Sequence, residues 1–118
     1  MRRLLVIVAL VGLLSATSSA LALGSIQGTI NTGVATVNAN GTGLYWVRVT
    51  GTYQTPPACV TDPTYKQFAV TTETKAGKAM IATLLMAQAG GRPIGIQGAG
   101  TCNVGGQGTE DIYYVYVN

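Results

Sequence analysis

KQFAVTTETKAGKAMIATLLMAQAGGRPIGIQ, residues 66–97, reads as a strand, a helix and a second strand in one run. Lys66 to Thr71 has the alternation of a short strand. From about Lys75 to Ala89 the apolar spacing becomes helical. Thr72 or Thr74 caps the start, Gly90-Gly91 ends the helix, and Pro93 blocks any continuation. Arg92 to Gln97 then returns to a strand.

Working outward, the residues before this run alternate as strands. Ile26, Gly28 and Ile30 share one face, and Ser25, Gln27 and Thr29 the other. Asn31-Thr32-Gly33 reads as a turn before Val34 to Val37, and Asn38 to Gly43 as a second turn whose Asn40-Gly41 favours positive φ. Leu44 to Thr50 is the clearest strand. Gly51 to Tyr65 is a loop, because Pro56-Pro57 and Asp62-Pro63 exclude both helix and ladder pairing. Beyond the run, Gly98 to Thr109 is a glycine-rich connection. Ile112 to Val117 closes the chain as a strand apolar on both faces, Ile112, Tyr114 and Tyr116 opposing Tyr113, Val115 and Val117, which requires cover on both sides. This order predicts a mainly β fold: a small OB-like antiparallel barrel with one α-helix over about 75–89. A plain α+β sheet carrying one helix is the alternative.

On the helix, Met80, Ile81, Leu84 and Leu85 gather on one side with Ala87 and Gln88 at its flanks, the expected core stripe. The far side carries Lys75 and Lys78, then Ala79, Ala82, Met86 and Ala89. Small residues there admit close approach of another subunit's helix. They are equally accounted for by the high helix propensity of alanine.

The N-terminus supplies an address. Arg2 and Arg3, the apolar run Leu4 to Leu14 and the small-residue stretch Ser15–Ala22 have the layout of a signal peptide covering 1–22, cleaved after Ala22 or Ala20. About eleven apolar residues are too few for a spanning helix, so no membrane span is expected after cleavage. The expected product is a single secreted or periplasmic domain, 23–118. In that compartment Cys59 and Cys102 are expected to form a disulfide. It closes a loop of roughly 43 residues, worth about 3–4 kcal/mol in the chain-entropy model.

Outside the leader, Arg48, Lys66, Lys75, Lys78 and Arg92 face Asp62, Glu73, Glu110 and Asp111, a net charge of +1. No basic patch remains to displace counterions, which excludes nucleic acid as a partner. The sequence has no histidine, the commonest general base, and the carboxylates are few. Glu110 and Asp111 are adjacent, so in a strand they point to opposite faces, a poor pair for acid–base work. They read as a charged loop-to-strand junction or as partners for Lys66 or Arg92. Gly77-Lys78 lies inside a helix and is no phosphate loop. Neither a catalytic residue nor a metal set nor a cofactor is expected.

Binding is the remaining class. Sugars take aromatic faces with amide and hydroxyl groups nearby, and Tyr53, Gln54, Asp62 and Tyr65 lie in or beside the proline-rich loop. They are the ligand-binding candidates, against the plainer reading that both tyrosines pack over the disulfide. Trp46 shares a face with Leu44 and Arg48 and reads as core or subunit contact.

The layout Cys59, then Phe68-Ala69-Val70, then Gly77-Lys78-Ala79-Met80 and Leu84 to Ala89, then Ile94-Gly95-Ile96, Gly100-Thr101-Cys102 and Glu110 to Val115 resembles small secreted bacterial proteins of uncharacterised function. Through them it is similar to the B subunit of subtilase cytotoxin. The likeness covers roughly the last 60 residues. It implies an OB-like B-subunit fold, a homo-oligomer, a cell-surface glycan as ligand and a catalytic partner chain. An envelope structural or interaction protein without a sugar ligand is the other reading.

Overall fold

The computed structural model describes residues 22–118; the leader expected over 1–22 lies, apart from Ala22, outside the described residues. The elements in chain order are β1 (Ser25–Gly28), β2 (Ile30–Val37), β3 (Gly43–Val49), a 3-10 turn (Pro63–Tyr65), β4 (Gln67–Thr71), α1 (Lys75–Gly90), β5 (Ile94–Gly98) and β6 (Glu110–Val117). The described chain is thus mainly β with one helix, as its sequence predicts. The α1 start is capped by Thr74, whose hydroxyl accepts from the Gly77 amide at 2.9 Å, and Gly91 ends it at φ 61°. Gly77 is buried against β4: a Cβ there would overlap the Thr71 carbonyl. No helix among the described residues is long and apolar enough to cross a membrane.

The strands form one sheet in the order β1-β5-β6-β4-β3-β2. Its pairs are antiparallel except β4 with β6, which is parallel. The sheet is thus mainly antiparallel, with one parallel pair making it mixed. After β4 the chain leaves through α1, β5 runs back, and β6, turning from β5, must run with β4. Paired residues do not close the expected barrel, since β1 and β2 remain the two edges. Only Thr29 separates those edges along the chain, so the sheet curls until its margins meet there. Thr50 ties the corner, its amide donating to the Thr29 carbonyl at 2.9 Å and its Oγ1 accepting from the Thr29 amide at 3.1 Å.

The turn expected at Asn31-Thr32-Gly33 does not form; β2 runs through it with a register shift between Ile30 and Thr32. Gly33 serves packing instead. A side chain there would strike the Tyr45 hydroxyl, which donates to Gln88 Oε1 of α1 at 3.0 Å.

The inner face holds the core: Ile26, Tyr45, Val47, Val49, Phe68, Val70, Ile94, Ile96 and Ile112, with Leu84 and Ala87 of α1 on top. Met80 and Ile81 pack partly against it. Leu85, placed in the core stripe from the sequence, is 49% exposed. With Leu84 and Ala87 inward, position 85 lies ~100° round the helix from Leu84 and faces out. It joins Ala79, Ala82, Met86 and Ala89, all exposed.

On the outer face the glycine-rich connection folds back over β3 and β4. Ala69 is buried beneath it, and Gly105 lies so close to Ala69 that a side chain would crowd it. Cys59 and Cys102 are disulfide-bonded with Cα atoms 6.1 Å apart, joining this cover to the proline-rich loop.

Candidate functional site

The other half of the outer face, β1-β5-β6, is bare. Register sets two rows across it: Ser25, Gln97 and Tyr114, then Gln27, Gly95 and Tyr116. Gly95 is what lets the second row close. A Cβ there would overlap the Tyr116 ring, so without one the ring reclines across β5 and its hydroxyl accepts from Gln27 Nε2 of β1 at 2.7 Å. Tyr114 stands beside it, ring centroids 6.2 Å apart and tilted 40°, and Tyr113 follows at 5.6 Å from Tyr114. Exposures of 67%, 47% and 37% for Tyr113, Tyr114 and Tyr116 leave aromatic surface facing water.

The tyrosines reach this face through a bulge. Gly98 pairs with Ile112 and Gln97 with Tyr114, so Tyr113 is an extra residue. This corrects the alternation expected for β6. Ile112 points inward, Tyr113 is unpaired, and the phase then resumes with Tyr114 and Tyr116 out and Val115 and Val117 packed towards the core.

Residues 51–54 wall the site. Gly51, at φ 123°, packs so tightly on the Gln27 carbonyl that a side chain would overlap it. Gln54 exchanges two backbone hydrogen bonds with Ser25, at 3.0 and 2.8 Å. The result is a recess of about 520 Å³, lined by Ser25, Gln27, Thr52, Gln54, Gln97, Tyr114 and Tyr116 over a floor of Ile26 and Ile96. Its lining is amide, hydroxyl and aromatic, with no charged side chain.

Beneath one wall sits Glu110, fully buried. Its carboxylate accepts from the Gly24 amide (3.0 Å), the Gly100 amide (2.9 Å) and the Tyr53 hydroxyl (2.6 Å). Gly24 and Gly98 leave room for it, since a Cβ on either would overlap the carboxylate. Burial, and then the hydrogen bond and negative charge of Glu110, push the Tyr53 phenol far above its ordinary value. Asp111 turns the opposite way. It accepts from Thr101 Oγ1 (2.6 Å), Val104 N (2.7 Å) and Asn103 N (2.9 Å), organising the glycine-rich cover. The adjacent carboxylates, read from sequence as a charged loop-to-strand junction or as partners for Lys66 or Arg92, are buried acceptors for backbone and hydroxyl donors. Arg92 instead donates to the Asn118 carbonyl at 3.1 Å.

The candidates named from sequence are dispersed. Gln54 lines the recess. Tyr53 packs on Phe68 at 4.8 Å with its hydroxyl on Glu110, and so positions the neighbouring Gln54 rather than facing the recess. Asp62 and Tyr65 lie elsewhere, in a second hollow beside Arg48, Gln67 and Thr109. Asp62 caps the 3-10 turn through the Thr64 amide and hydroxyl. The residues passed over are Gln27, Gln97, Tyr114 and Tyr116. Their signal is a polar i, i+2 face on β1 and a glycine facing a tyrosine across β5 and β6.

Among the described residues no group of three metal-ligating side chains occurs. No family model matches the chain, and neither a curated protein nor a solved structure is significantly similar to it.

Proposed function

We propose that this protein is an exported, non-enzymatic binding protein whose ligand is a neutral glycan held on the Tyr114–Tyr116 face. One observation carries this reading: an uncharged recess in which Gln27, Gln54 and Gln97 surround two exposed tyrosine rings. Sugar hydroxyls need both donors and acceptors, which an amide supplies in one group. The C–H face of a pyranose needs a flat apolar surface, which a reclining tyrosine supplies. An ionic ligand would find no counter-charge here. The B-subunit resemblance also implies a glycan as ligand.

A glycan array followed by calorimetry tests it. Neutral oligosaccharides are expected to bind, and Tyr116→Ala to weaken binding by about tenfold, a stacking contribution of ~1–1.5 kcal/mol. Absence of neutral-glycan binding at millimolar sugar overturns the proposal.

An assembly role is favoured by a separate feature, the outward side of α1. Ala79, Ala82, Leu85, Met86 and Ala89 form an exposed strip without a charge beyond the first turn. Light scattering at tens of micromolar separates the readings: an oligomer with no glycan affinity favours assembly alone, and a strict monomer removes it.

A further inference from the structure

The second hollow has a different chemistry. Arg48 projects from β3 onto the outer face, half-buried. Its Nε donates to Gln67 Oε1 at 3.1 Å, and Gln67 Nε2 in turn donates to the buried Thr109 hydroxyl at 3.0 Å. The guanidinium carbon stands 4.9 Å from the Tyr65 ring centroid and 5.3 Å from that of Trp46. Both rings and the Gln67 bond hold the group in one orientation. Among the described residues its terminal nitrogens donate to nothing.

Arg48 lines a recess of about 260 Å³ that Thr61, Asp62, Gln107 and Gly108 complete. The walls are fixed. The Gly108 amide donates to the Cys59 carbonyl at 2.9 Å, and Cys59 is one half of the disulfide. Asp62 lines the same recess, yet its hydrogen bonds go to Thr64, both on Oδ1, and none joins it to Arg48. A guanidinium oriented by two aromatic rings, with its fork free, is built to receive two oxygens in a plane.

We infer that this recess binds a carboxylate borne by a small polar ligand, the two oxygens taken by the Arg48 fork and a donor of the ligand by Asp62. The carboxylate has two sources that share this chemistry, a uronic acid and the free end of a peptide. Asp62 adds selectivity: it disfavours a bare or doubly charged anion and favours a carboxylate carrying an ammonium or hydroxyl donor. The recess differs in charge from the tyrosine face and does not depend on the glycan reading.

The protein's single tryptophan, Trp46, makes the test direct. Sodium glucuronate and N-acetylalaninate are titrated at constant ionic strength while Trp46 fluorescence is read. Glucose, N-acetylalanine amide and sodium chloride serve as comparisons. A saturable change with a carboxylate, absent for its neutral counterpart and for chloride, is expected; which acid binds more tightly identifies the source. Arg48→Gln is expected to weaken binding at least about tenfold. Arg48→Lys is expected to weaken it too, since an ammonium keeps the charge but lacks the fork. Asp62→Asn should strengthen binding of acetate and weaken that of alanine. No saturable response to either acid up to about 50 mM, where a mM-range site would fill, overturns the assignment. So does an equal response to chloride, or an Arg48→Lys protein that melts and titrates like the parent.

Discussion

The two ends of β6 put neighbouring residues to opposite uses. At its start, Glu110 and Asp111 are buried and spend their oxygens on amides and hydroxyls from the segments around 24, 53 and 100–104. At its end, Tyr114 and Tyr116 turn large side chains to water. Conventional burial preferences would reverse this. A carboxylate goes inside where loops have donors that nothing else can satisfy, whereas tyrosine rings stay outside where a recess needs a surface. The single unpaired residue between them, Tyr113, makes the exchange possible by resetting the alternation.

If the buried end holds the loops, cutting what joins them should have the largest effect. Replacing Cys59 and Cys102 by serine releases the loop of 43 residues, and unfolding in urea should show a loss of about 3–4 kcal/mol. A loss below about 1 kcal/mol would mean that Asp111 and the backbone bonds fix the glycine-rich cover unaided.

Glu110→Ala comes next. It strands two amides and one phenol in a buried site, and about 3 kcal/mol of stability should go with them. Glu110→Gln keeps the shape and an acceptor oxygen, so it should lose less than alanine does. Equal losses would show that volume, not the acceptors, matters here.

Tyr53→Phe removes one of those donors while preserving the packing on Phe68, an expected cost of about 1 kcal/mol. Its second signature is alkaline. The Tyr53 phenol is raised from an ordinary 10.0 by burial and by Glu110, and burial raises Tyr45 as well. A raised folded value means that the stability is fully present below pH 10 and drains as pH climbs beyond it, because only the unfolded chain then releases the proton. Ultraviolet titration should therefore show the Tyr53 phenol ionising only as the protein unfolds and the Tyr45 phenol ionising later than it does in the unfolded chain, and Tyr53→Phe should flatten the alkaline loss.

Much of this architecture was legible in the sequence, for identifiable reasons. The helix carries its own punctuation in Thr74, Gly91 and Pro93, and the two cysteines follow a leader that reads as an export signal, so both features could be placed from the sequence. The strand content followed from alternation. What failed was long-range. The parallel pairing of β4 with β6 depends on a crossover, and the continuation of β2 through Gly33 depends on Tyr45 and Gln88 arriving from elsewhere. The tyrosine face was hidden because a bulge leaves no mark of its own. Read with strict period two, Ile112 and Tyr114 share a face; in the structure they do not. Asp62 and Tyr65, candidates for their types, do share a hollow, but the residue that gives that hollow its chemistry, Arg48, comes from a strand in which alternation marks only a shared face with Leu44 and Trp46.

The bulge gives the smallest expected effect and the sharpest contrast. Deleting a residue from a central strand ordinarily shifts every side chain beyond it to the wrong face. Deleting Tyr113 should not, because Gly98 already faces Ile112 and Gln97 already faces Tyr114. Without the extra residue the strand reads Ile112 in, Tyr114 out, Val115 in, Tyr116 out, Val117 in, a regular alternation with each partner retained. A stability change of about 1 kcal/mol or less is expected, from altered local twist and one lost exposed ring. Deleting Val115 instead either sends Tyr116 inward and Val117 outward or, if the bulge is lost, forces the Tyr114 ring into the inward place of Val115, and either outcome should cost more stability than removal of Tyr113. Thermal melts of the two deletions decide the matter. If removal of Tyr113 is as damaging as removal of Val115, the bulge contributes through its twist, and the face it presents cannot be explained by phase alone.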